Sequence, residues 1–354
     1  MFLRLLQITV GTAESFDVPP TESEWAALLH EAERQTLCGV IYGSLNRLPA
    51  SQRPPKGILL KWHSQAESIE YRSRRLDYYS SWVTERFLKA GFRSVILKGQ
   101  GNARLYPSPA LRVSGDVDVW LDGERQAILD YVLRFFPNQR VQWHEVEFPV
   151  RKEVTIEVHT TPSVLFCPTD NRRLQRFYDA HREAMMTHQI DLPDGPVCIP
   201  TTEVNLVFQL THIYRHLFYE GIGLRQLMDY YYLLSSPEAG AVLPEVQRTV
   251  RSIHLTRFCE AVMWVLGEVF ALPAERMILP PNEREGRFLL SEVMRAGNFG
   301  LFDSRNAFKA GAWGNFWQIT RRNLRFLRSY PREVLWNPPY RIAQFIWRKR
   351  RGYR

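Results

Sequence analysis

The residues that most restrict the fold of this chain lie at 114–121, where acidic and apolar side chains alternate. Asp116 and Asp118 are interleaved with Val117 and Val119. Successive side chains of a β-strand point to opposite faces, so the two carboxylates share one face and the two valines share the other. The alternation therefore predicts a strand that packs its apolar face on a core and carries two acids side by side on the opposite face.

The remainder of the chain shows mainly helical spacing of its apolar residues. Of its 354 residues, 45% are apolar and 23% are charged, which is typical of soluble globular proteins, and the length favours two domains or one domain with large helical additions. We predict an α+β fold in which a small mixed β-sheet core is flanked by N-terminal helices and a C-terminal helical domain. The expected divisions are an N-terminal helical region, the sheet-containing core, the C-terminal helical domain and a basic aromatic tail, at 1–90, 91–195, 196–320 and 321–354.

Local patterns place the individual elements. A capping box at Thr21 and Glu24 predicts the start of an N-terminal helix. A strand is expected to end at Lys98, because Gly99 and the residues after it have the composition of a turn. The other elements expected are strands at 142–150 and 153–159 and helices at 124–135, 202–219, 222–235, 243–270 and 283–296.

The sequence disfavours a membrane-spanning protein and a disulfide or zinc scaffold. No uncharged apolar run reaches the length of about 18 residues that spans a bilayer, and the best candidate, 258–273, contains Glu260 and Glu268. The four cysteines are widely spaced and form no Cys-x-x-Cys pair. The N-terminal segment lacks the cleavage site of a secretory signal. We therefore expect a cytoplasmic protein.

The positive charge of the chain is concentrated in its last 34 residues. The net charge is +9, but residues 321–354 contain eleven Lys or Arg and one acid, Glu333, which leaves residues 1–320 close to neutral. Aromatic residues are interspersed among these cations. The segment is either a solvated helix whose aromatic side chains pack on the body, or a contact surface for RNA or an anionic membrane.

A third acid accompanies the two aspartates on a second alternating segment. Glu157 shares a face with Thr155 and His159 in the predicted strand at 153–159. If this strand lies beside the first, Glu157 joins Asp116 and Asp118. Three carboxylates around paired magnesium ions are the usual apparatus for in-line phosphoryl or nucleotidyl displacement. His159 either positions a phosphate or caps the strand end.

Phosphate ligands are expected at the end of the preceding strand. Lys98 offers an ammonium group and Gly99 opens a helical turn whose amides point outward. Together they indicate a polyphosphate-binding bend upstream of the acids.

These motifs resemble the DNA polymerase β-like nucleotidyltransferase superfamily, and specifically its branch of uncharacterised bacterial nucleotidyltransferases. The resemblance covers about 91–235. It is carried by Val95-Ile-Leu-Lys-Gly99, Tyr106-Pro107, Arg112-Val-Ser-Gly-Asp-Val-Asp-Val-Trp120, Ile156-Glu-Val-His159 and the segment Gly221–Asp229. It differs at two positions, since the branch more often has Asp in place of Glu157, and Gln100 follows the glycine where the superfamily has Ser.

The resemblance implies a role for each motif. Lys98 and Gly99 stand where the superfamily has a Gly-Ser or Gly-Gly turn. Asp116 and Asp118 would hold two Mg²⁺ ions, for which Mn²⁺ can substitute, and Glu157 would be the third carboxylate. We further expect Arg112 to neutralise a leaving pyrophosphate and Ser114 to donate a hydrogen bond to the triphosphate.

Two helical pairs have roles that the sequence leaves open. His212 and His216 are four residues apart on one helix face, which suits a zinc pair if a third ligand converges, or a structural or substrate-cleft role. Arg225 and Asp229 have the same spacing and are most simply an ion pair within a helix, or they close over the base of a nucleotide.

The resulting hypothesis is a magnesium-dependent nucleotidyltransferase that transfers an NMP group from ATP or another NTP to an unidentified hydroxyl or phosphate acceptor and releases pyrophosphate. The catalytic and metal-binding residues are Asp116, Asp118 and Glu157, and the nucleotide contacts are Lys98, Gly99, Arg112 and Ser114. The alternative is a catalytically inactive module of the same fold that binds RNA or an anionic surface through 321–354. A phosphotransferase that moves the γ-phosphoryl group is a third possibility.

Overall fold

Helices form the N-terminal part of the chain. The computed structural model describes residues 1–150, 153–303, 305 and 312–353. The predicted capping box is present, because the Thr21 hydroxyl accepts a hydrogen bond from the Glu24 amide and the Glu24 carboxylate accepts one from the Thr21 amide. The helices are α1 (Phe2–Val10), α2 (Glu22–Arg34), α3 (Cys38–Tyr42) and α4 (Lys56–Lys89).

A four-stranded mixed sheet follows. Its strands are β1 (Arg93–Ile96), β2 (Asp116–Asp122), β3 (Glu145–Glu147) and β4 (Thr155–His159), with α5 (Gln100–Ala103) after β1 and α6 (Arg125–Phe135) after β2. The spatial order is β1-β2-β4-β3, with β2 and β4 parallel and the outer pairs antiparallel. The predicted α+β fold with a small mixed sheet is confirmed, although β3 and β4 are shorter than the alternating segments suggested.

The described residues of the C-terminal half are mainly helical and include one hairpin. The helix α7 (Pro168–Thr187) precedes the hairpin of β5 (Gln189–Leu192) and β6 (Gly195–Cys198), and the later helices are α8 (Thr202–Tyr219), α9 (Leu224–Ser235), α10 (Ala239–Ser252), α11 (Thr256–Phe270), α12 (Glu283–Ala296), α13 (Ala312–Asn323) and α14 (Pro331–Arg351). The single helix predicted at 243–270 is wrong. It is divided at His254, whose backbone adopts φ +58°. None of the described helices is both long enough and apolar enough to cross a bilayer.

Two apolar clusters organise the packing of the described residues. One joins the N-terminal helices to the C-terminal helices and includes Trp62 and Phe258. The other lies between α4, α6 and the apolar face of the sheet and includes Phe87, Val117 and Ile156. Helix α4 contributes to both clusters, so it connects the sheet to the helical part of the molecule.

The division at residues 90, 195 and 320 stays a prediction. The residues 151–152, 304, 306–311 and 354 of the predicted segments lie outside the described residues.

Candidate active site

The parallel pairing of β2 and β4 brings the predicted acids onto one face of the sheet. Asp118 is the direct cross-strand partner of Glu157, and Asp116 is the partner of Thr155. Side chains of directly opposed residues lie on the same face of the sheet. The two strands therefore form one acidic face, which carries Asp116, Asp118 and Glu157. This surface faces α8, whereas the apolar face packs on α4 and α6. The predicted adjacency of the two strands is therefore confirmed.

The ammonium of Lys98 lies between the two aspartates. Its Nζ is 3.0 Å from Oδ2 of Asp118 and 3.8 Å from Oδ2 of Asp116. Burial disfavours the charged form of Lys98, but the carboxylates of Asp116 and Asp118 outweigh that effect and raise its pKa. The two aspartates thus converge on one positive charge, supplied here by the lysine predicted to bind phosphate.

His159 completes the group around Asp118. Its Nε2 is 3.0 Å from Oδ1 of Asp118. One potential ligand atom each from Asp118, Glu157 and His159 lies within 4.8 Å of the other two, which is close enough to surround a metal ion. Burial alone would raise the pKa of Asp118, but Lys98 and His159 lower it to about 2. Asp118 is therefore a permanent carboxylate at neutral pH.

Glu157 is crowded by negative charge. Burial and the neighbouring carboxylates of Glu145, Asp118 and Asp116 raise its pKa to about 9, although Lys98 opposes the shift. In the metal-free protein Glu157 is therefore protonated at neutral pH. A nearby divalent cation would favour the ionised form of Glu157. Lys98 alone therefore does not neutralise the carboxyl groups of the acidic face.

The raised pKa of Glu157 predicts how stability varies with pH. Between the ordinary value of 4.5 and about 9, the folded protein keeps a proton that the unfolded chain releases. The free energy of unfolding of the metal-free protein should therefore fall as pH rises through this window. Glu157→Gln cannot ionise and should flatten the slope, as measured by urea unfolding in a chelator at several pH values. The exposed Glu268→Gln is the control, and an unchanged slope in Glu157→Gln would contradict the assignment.

A fourth acid, Glu145, was missed at the sequence level. It lies opposite His159 on β3, and its Oε2 is 2.8 Å from Nε2 of His144 and 3.7 Å from Nη2 of Arg215. Burial and the positive charge of Arg215 lower the pKa of His144 to about 4, which leaves that imidazole neutral. The alternation in 142–150 was the available signal, because it places Glu145 on a defined face of a strand next to β4.

Helix α8 lies over the acidic face. Nε2 of His212 is 3.2 Å from Nζ of Lys98 and 3.1 Å from Nε2 of His216. Burial and the charge of Lys98 hold the pKa of His212 well below its usual range, so the neutral ring accepts a hydrogen bond from the ammonium. Nδ1 of His216 is 3.7 Å from Oε2 of Glu220. The sequence left this histidine pair without an assigned role, and the structure brings it into contact with the site.

The interpretation of Arg225 and Asp229 as a helix ion pair is wrong. The carboxylate of Asp229 instead accepts two hydrogen bonds from Arg112, at 2.7 and 2.6 Å, and one from the Tyr106 hydroxyl at 2.6 Å. Arg225 donates to the backbone oxygen of Val113. Arg225 and Asp229 both contact the segment before β2, because that segment packs directly against α9. The spacing of the two residues within α9 does not reveal this contact.

One cleft contains all the residues predicted to contact the nucleotide. Lys98, Gly99, Arg112, Ser114 and Asp116 line it from the side of the sheet. Gly99 has φ +64° and ψ −105°, a conformation that residues with a side chain rarely adopt. The guanidinium of Arg112 also donates to the Ser114 hydroxyl at 2.5 Å, so these two side chains are held together.

The opposite wall of the cleft comes from the helical part of the molecule. It includes Gln209, His212, Arg225 and Phe299. Phe299 has φ +53°, which is an outlier for a bulky residue, and its ring is stacked by the guanidinium of Arg225 at 5.5 Å. No periodic pattern marked Phe299, because it lies in an irregular segment after α12.

Comparison with known proteins identifies the family. The family model described as uncharacterised nucleotidyltransferase matches residues 21–271. The chain belongs to this nucleotidyltransferase family. The resemblance inferred from the Lys-Gly, Asp-x-Asp and Glu-x-His motifs is thereby confirmed.

Two other comparisons concern individual proteins. Among functionally curated proteins, none is similar enough to count as a relative. The crystal structure of an antigenic nucleotidyltransferase-like protein from Paracoccidioides brasiliensis matches with 14% sequence identity and a TM-score of 0.33, covering 56% of this chain and 92% of that chain.

Proposed function

We propose that the chain is a magnesium-dependent nucleotidyltransferase that transfers the NMP group of an NTP to a hydroxyl or phosphate acceptor and releases pyrophosphate. The observation that carries this proposal is the convergence of Asp116 and Asp118 on one positive charge, with Glu157 opposite Asp118 on the adjacent strand. Membership of a nucleotidyltransferase family supports the reaction class.

The acidic face fits divalent cations by its donors and its charge. Asp116, Asp118 and Glu157 would hold Mg²⁺, or Mn²⁺ in its place, through the hard carboxylate oxygens that these ions prefer. The ammonium of Lys98 already lies near both aspartates, and burial together with the neighbouring carboxylates raises the pKa of Glu157 at the same place. When bound, the ions would neutralise charge on the attacking and leaving oxygens.

We propose separate roles in the reaction for the side chains that line the cleft and for Glu157, which lies on the acidic face beside Asp118. A bond forms between the acceptor oxygen and the α-phosphorus, and the bond from that phosphorus to the oxygen bridging the β-phosphate breaks. Glu157 in its ionised form would accept the proton of an acceptor hydroxyl. Lys98 would leave its aspartate partners and bind phosphate oxygens beside Gly99. The neutral ring of His212 would keep the ammonium of Lys98 directed into the cleft.

Arg112 and Ser114 would act on the phosphates from the same wall. We propose that Ser114 donates its hydroxyl to the triphosphate, and that Arg112 adds positive charge for the leaving pyrophosphate. The hydrogen bonds of Arg112 to Asp229 and Ser114 fix the position of that charge before the nucleotide binds. Catalysis would thus depend mainly on positioning and charge neutralisation.

The base of the nucleotide would stack on Phe299. Its ring lines the same cleft as Asp116 and is held by Arg225. A bulky residue held at positive φ next to a cleft is a recurring mark of a ligand-binding segment. Stacking on an aromatic ring tolerates every base, so this contact would serve ATP, CTP, GTP and UTP alike.

Phe299→Ala is expected to raise the KM for the NTP about tenfold with little change in kcat, because stacking on an aromatic ring contributes about 1–3 kcal/mol. Phe299→Tyr keeps the ring and should behave like the wild type. Steady-state kinetics with each NTP measures both constants. A fall in kcat at constant KM, or an equal effect of the Tyr variant, would show that Phe299 does not carry the base.

Labelled nucleotides test the reaction itself. Each of the four NTPs, labelled at the α-phosphate, would be incubated with the protein, Mg²⁺ and a cell extract that supplies acceptors. We expect a labelled NMP adduct and free pyrophosphate with at least one NTP. Release of NDP would establish a phosphotransferase instead, and the absence of labelled adduct with all four would reject nucleotidyl transfer. We propose the cytoplasm as the site of the reaction, consistent with the four free cysteine thiols.

One contact favours the alternative of a catalytically inactive module. The ammonium of Lys98 already pairs with Asp118 at 3.0 Å, which gives the acidic face some neutralisation without any metal. An inactive module would take up no Mn²⁺ in the presence of NTP and form no adduct, and it would act only through the basic segment 321–354. The labelling and metal-binding experiments therefore separate the two functions.

A further inference from the structure

The last helix, α14, exposes a continuous apolar stripe. Leu335, Ile342 and Ile346 follow one another at intervals of seven and four residues, so they lie along one face of the helix. Their exposed fractions are 64%, 45% and 44%. Trp336 and Phe345, exposed by 43% and 45%, flank this line. Large exposed apolar patches of this kind usually mark an interaction surface.

The other side of α14 is fixed to the body of the protein. Trp347 stacks on Trp143 with an interplanar angle of 4°, and Tyr340 contacts both Trp143 and Phe166. The Glu333 carboxylate accepts a hydrogen bond from the Phe166 amide at 2.6 Å. Packing on the body, one of the two roles left open for 321–354, therefore accounts for Tyr340 and Trp347 but not for the exposed Trp336 and Phe345. The stripe of Leu335, Ile342 and Ile346 points away from the body.

The exposed part of α14 is positively charged. Lys349, Arg350 and Arg351 form its exposed C-terminal turn. Its one acidic residue, Glu333, is only 3% exposed. The stripe therefore ends in a cluster of cations with no exposed acid on the same helix.

The chemistry of the stripe distinguishes lipid from nucleic acid. RNA gains from Arg and from flat aromatic rings that stack on bases, but the centre of the stripe is aliphatic. Aliphatic side chains beside lysine and arginine match the boundary between acyl chains and anionic headgroups. We propose that α14 is a docking surface for an anionic membrane, on which Leu335, Ile342 and Ile346 enter the interface while Lys349 and Arg350 contact the headgroups.

Vesicle binding by the full chain tests the proposal. Sedimentation with phosphatidylcholine vesicles containing about 30% phosphatidylglycerol is expected to exceed sedimentation with pure phosphatidylcholine by at least about tenfold in apparent affinity. Ile342→Asp with Ile346→Asp should lower binding to the anionic vesicles about 100-fold. The exposed pair Leu60→Asp with Leu88→Asp on α4 adds the same charge elsewhere and should bind like the wild type.

The cationic turn has its own matched pair of variants. Lys349→Glu with Arg350→Glu should weaken binding at least about tenfold, and Lys56→Glu with Lys61→Glu on α4 should not. Circular dichroism checks that each variant is folded. Ile342→Ala with Ile346→Ala removes most of the apolar contact with a residue that favours helix, so it replaces the Asp pair if that pair unfolds.

Three results would overturn the proposal. The first is equal binding of the wild type to both kinds of vesicle. The second is wild-type binding by folded variants at Ile342 and Ile346, which would remove the apolar stripe from the contact. The third is binding to single-stranded RNA that depends on Lys349 and Arg350 without any binding to anionic vesicles, which would make α14 an RNA surface.

Discussion

Asp116→Asn and Asp118→Asn are each expected to lower the rate of NMP transfer by about 10³-fold or more. Several kcal/mol of transition-state stabilisation depend on the metal ions that these carboxylates would hold, and each 1.4 kcal/mol or so corresponds to a factor of ten in rate. The Asn side chain has nearly the shape of Asp but lacks its charge. The measurement is the rate of adduct formation from the NTP that labels best.

The matched control for these two variants is Asp191→Asn. Asp191 is exposed on β5, in a hairpin separate from the acidic face. The Asp191→Asn variant should therefore transfer NMP at the wild-type rate. Urea unfolding checks that Asp118→Asn is folded, because Asp118 is buried and also pairs with Lys98 and His159. Folded Asp variants that retain activity within a few-fold of the wild type would contradict a catalytic role for the acidic face.

Asp229→Ala is expected to lower the free energy of unfolding by about 3–5 kcal/mol, because it leaves the buried guanidinium of Arg112 without its partner. The side chains of Arg112 and Asp229 are 2% and 5% exposed. Burial alone would raise the pKa of Asp229, but the charge and hydrogen bonds of Arg112 lower it overall. This pair links the loop before β2 to α9, so its loss should also loosen the cleft.

A double variant distinguishes the loss of the whole ion pair from the loss of one of its two charges. Arg112→Met with Asp229→Leu removes both charges together, so we expect it to be more stable than Asp229→Ala alone. Urea unfolding at neutral pH measures the three proteins. The Tyr106 hydroxyl also loses its acceptor in the double variant. Tyr106→Phe measures how much this hydrogen bond contributes to the free energy of unfolding. A loss below about 1 kcal/mol in Asp229→Ala would show that the pair adds little to stability.

Period-two alternation explains why the centre of the site could be predicted. Asp116 and Asp118 occupy one face of β2, and Glu157 occupies the matching face of β4, because strand geometry fixes side-chain direction from spacing alone. Spacing alone does not give the parallel pairing of β2 and β4, because both α6 and β3 lie between them in the chain. The capping box at Thr21 was also predictable, because it depends only on two residues three positions apart in the sequence.

Contacts between distant elements could not be predicted in this way. The spacing of Arg225 and Asp229 indicates a common helix face, but it contains no information on the buried Arg112 that competes for the carboxylate. The contact of His212 with Lys98 likewise depends on how α8 crosses the sheet. The β5–β6 hairpin was missed, although Asp194 and Gly195 form the kind of dipeptide that commonly marks a hairpin turn.

Metal binding tests the central claim most directly, because it requires no knowledge of the acceptor. Mn²⁺ would be titrated into the protein with and without NTP, and free Mn²⁺ would be followed by electron paramagnetic resonance. We predict that the wild type takes up Mn²⁺ in the presence of NTP and that Asp116→Ala with Asp118→Ala loses this uptake. Equal uptake by the folded double variant, or none by the wild type, would contradict a metal-dependent active site on this sheet.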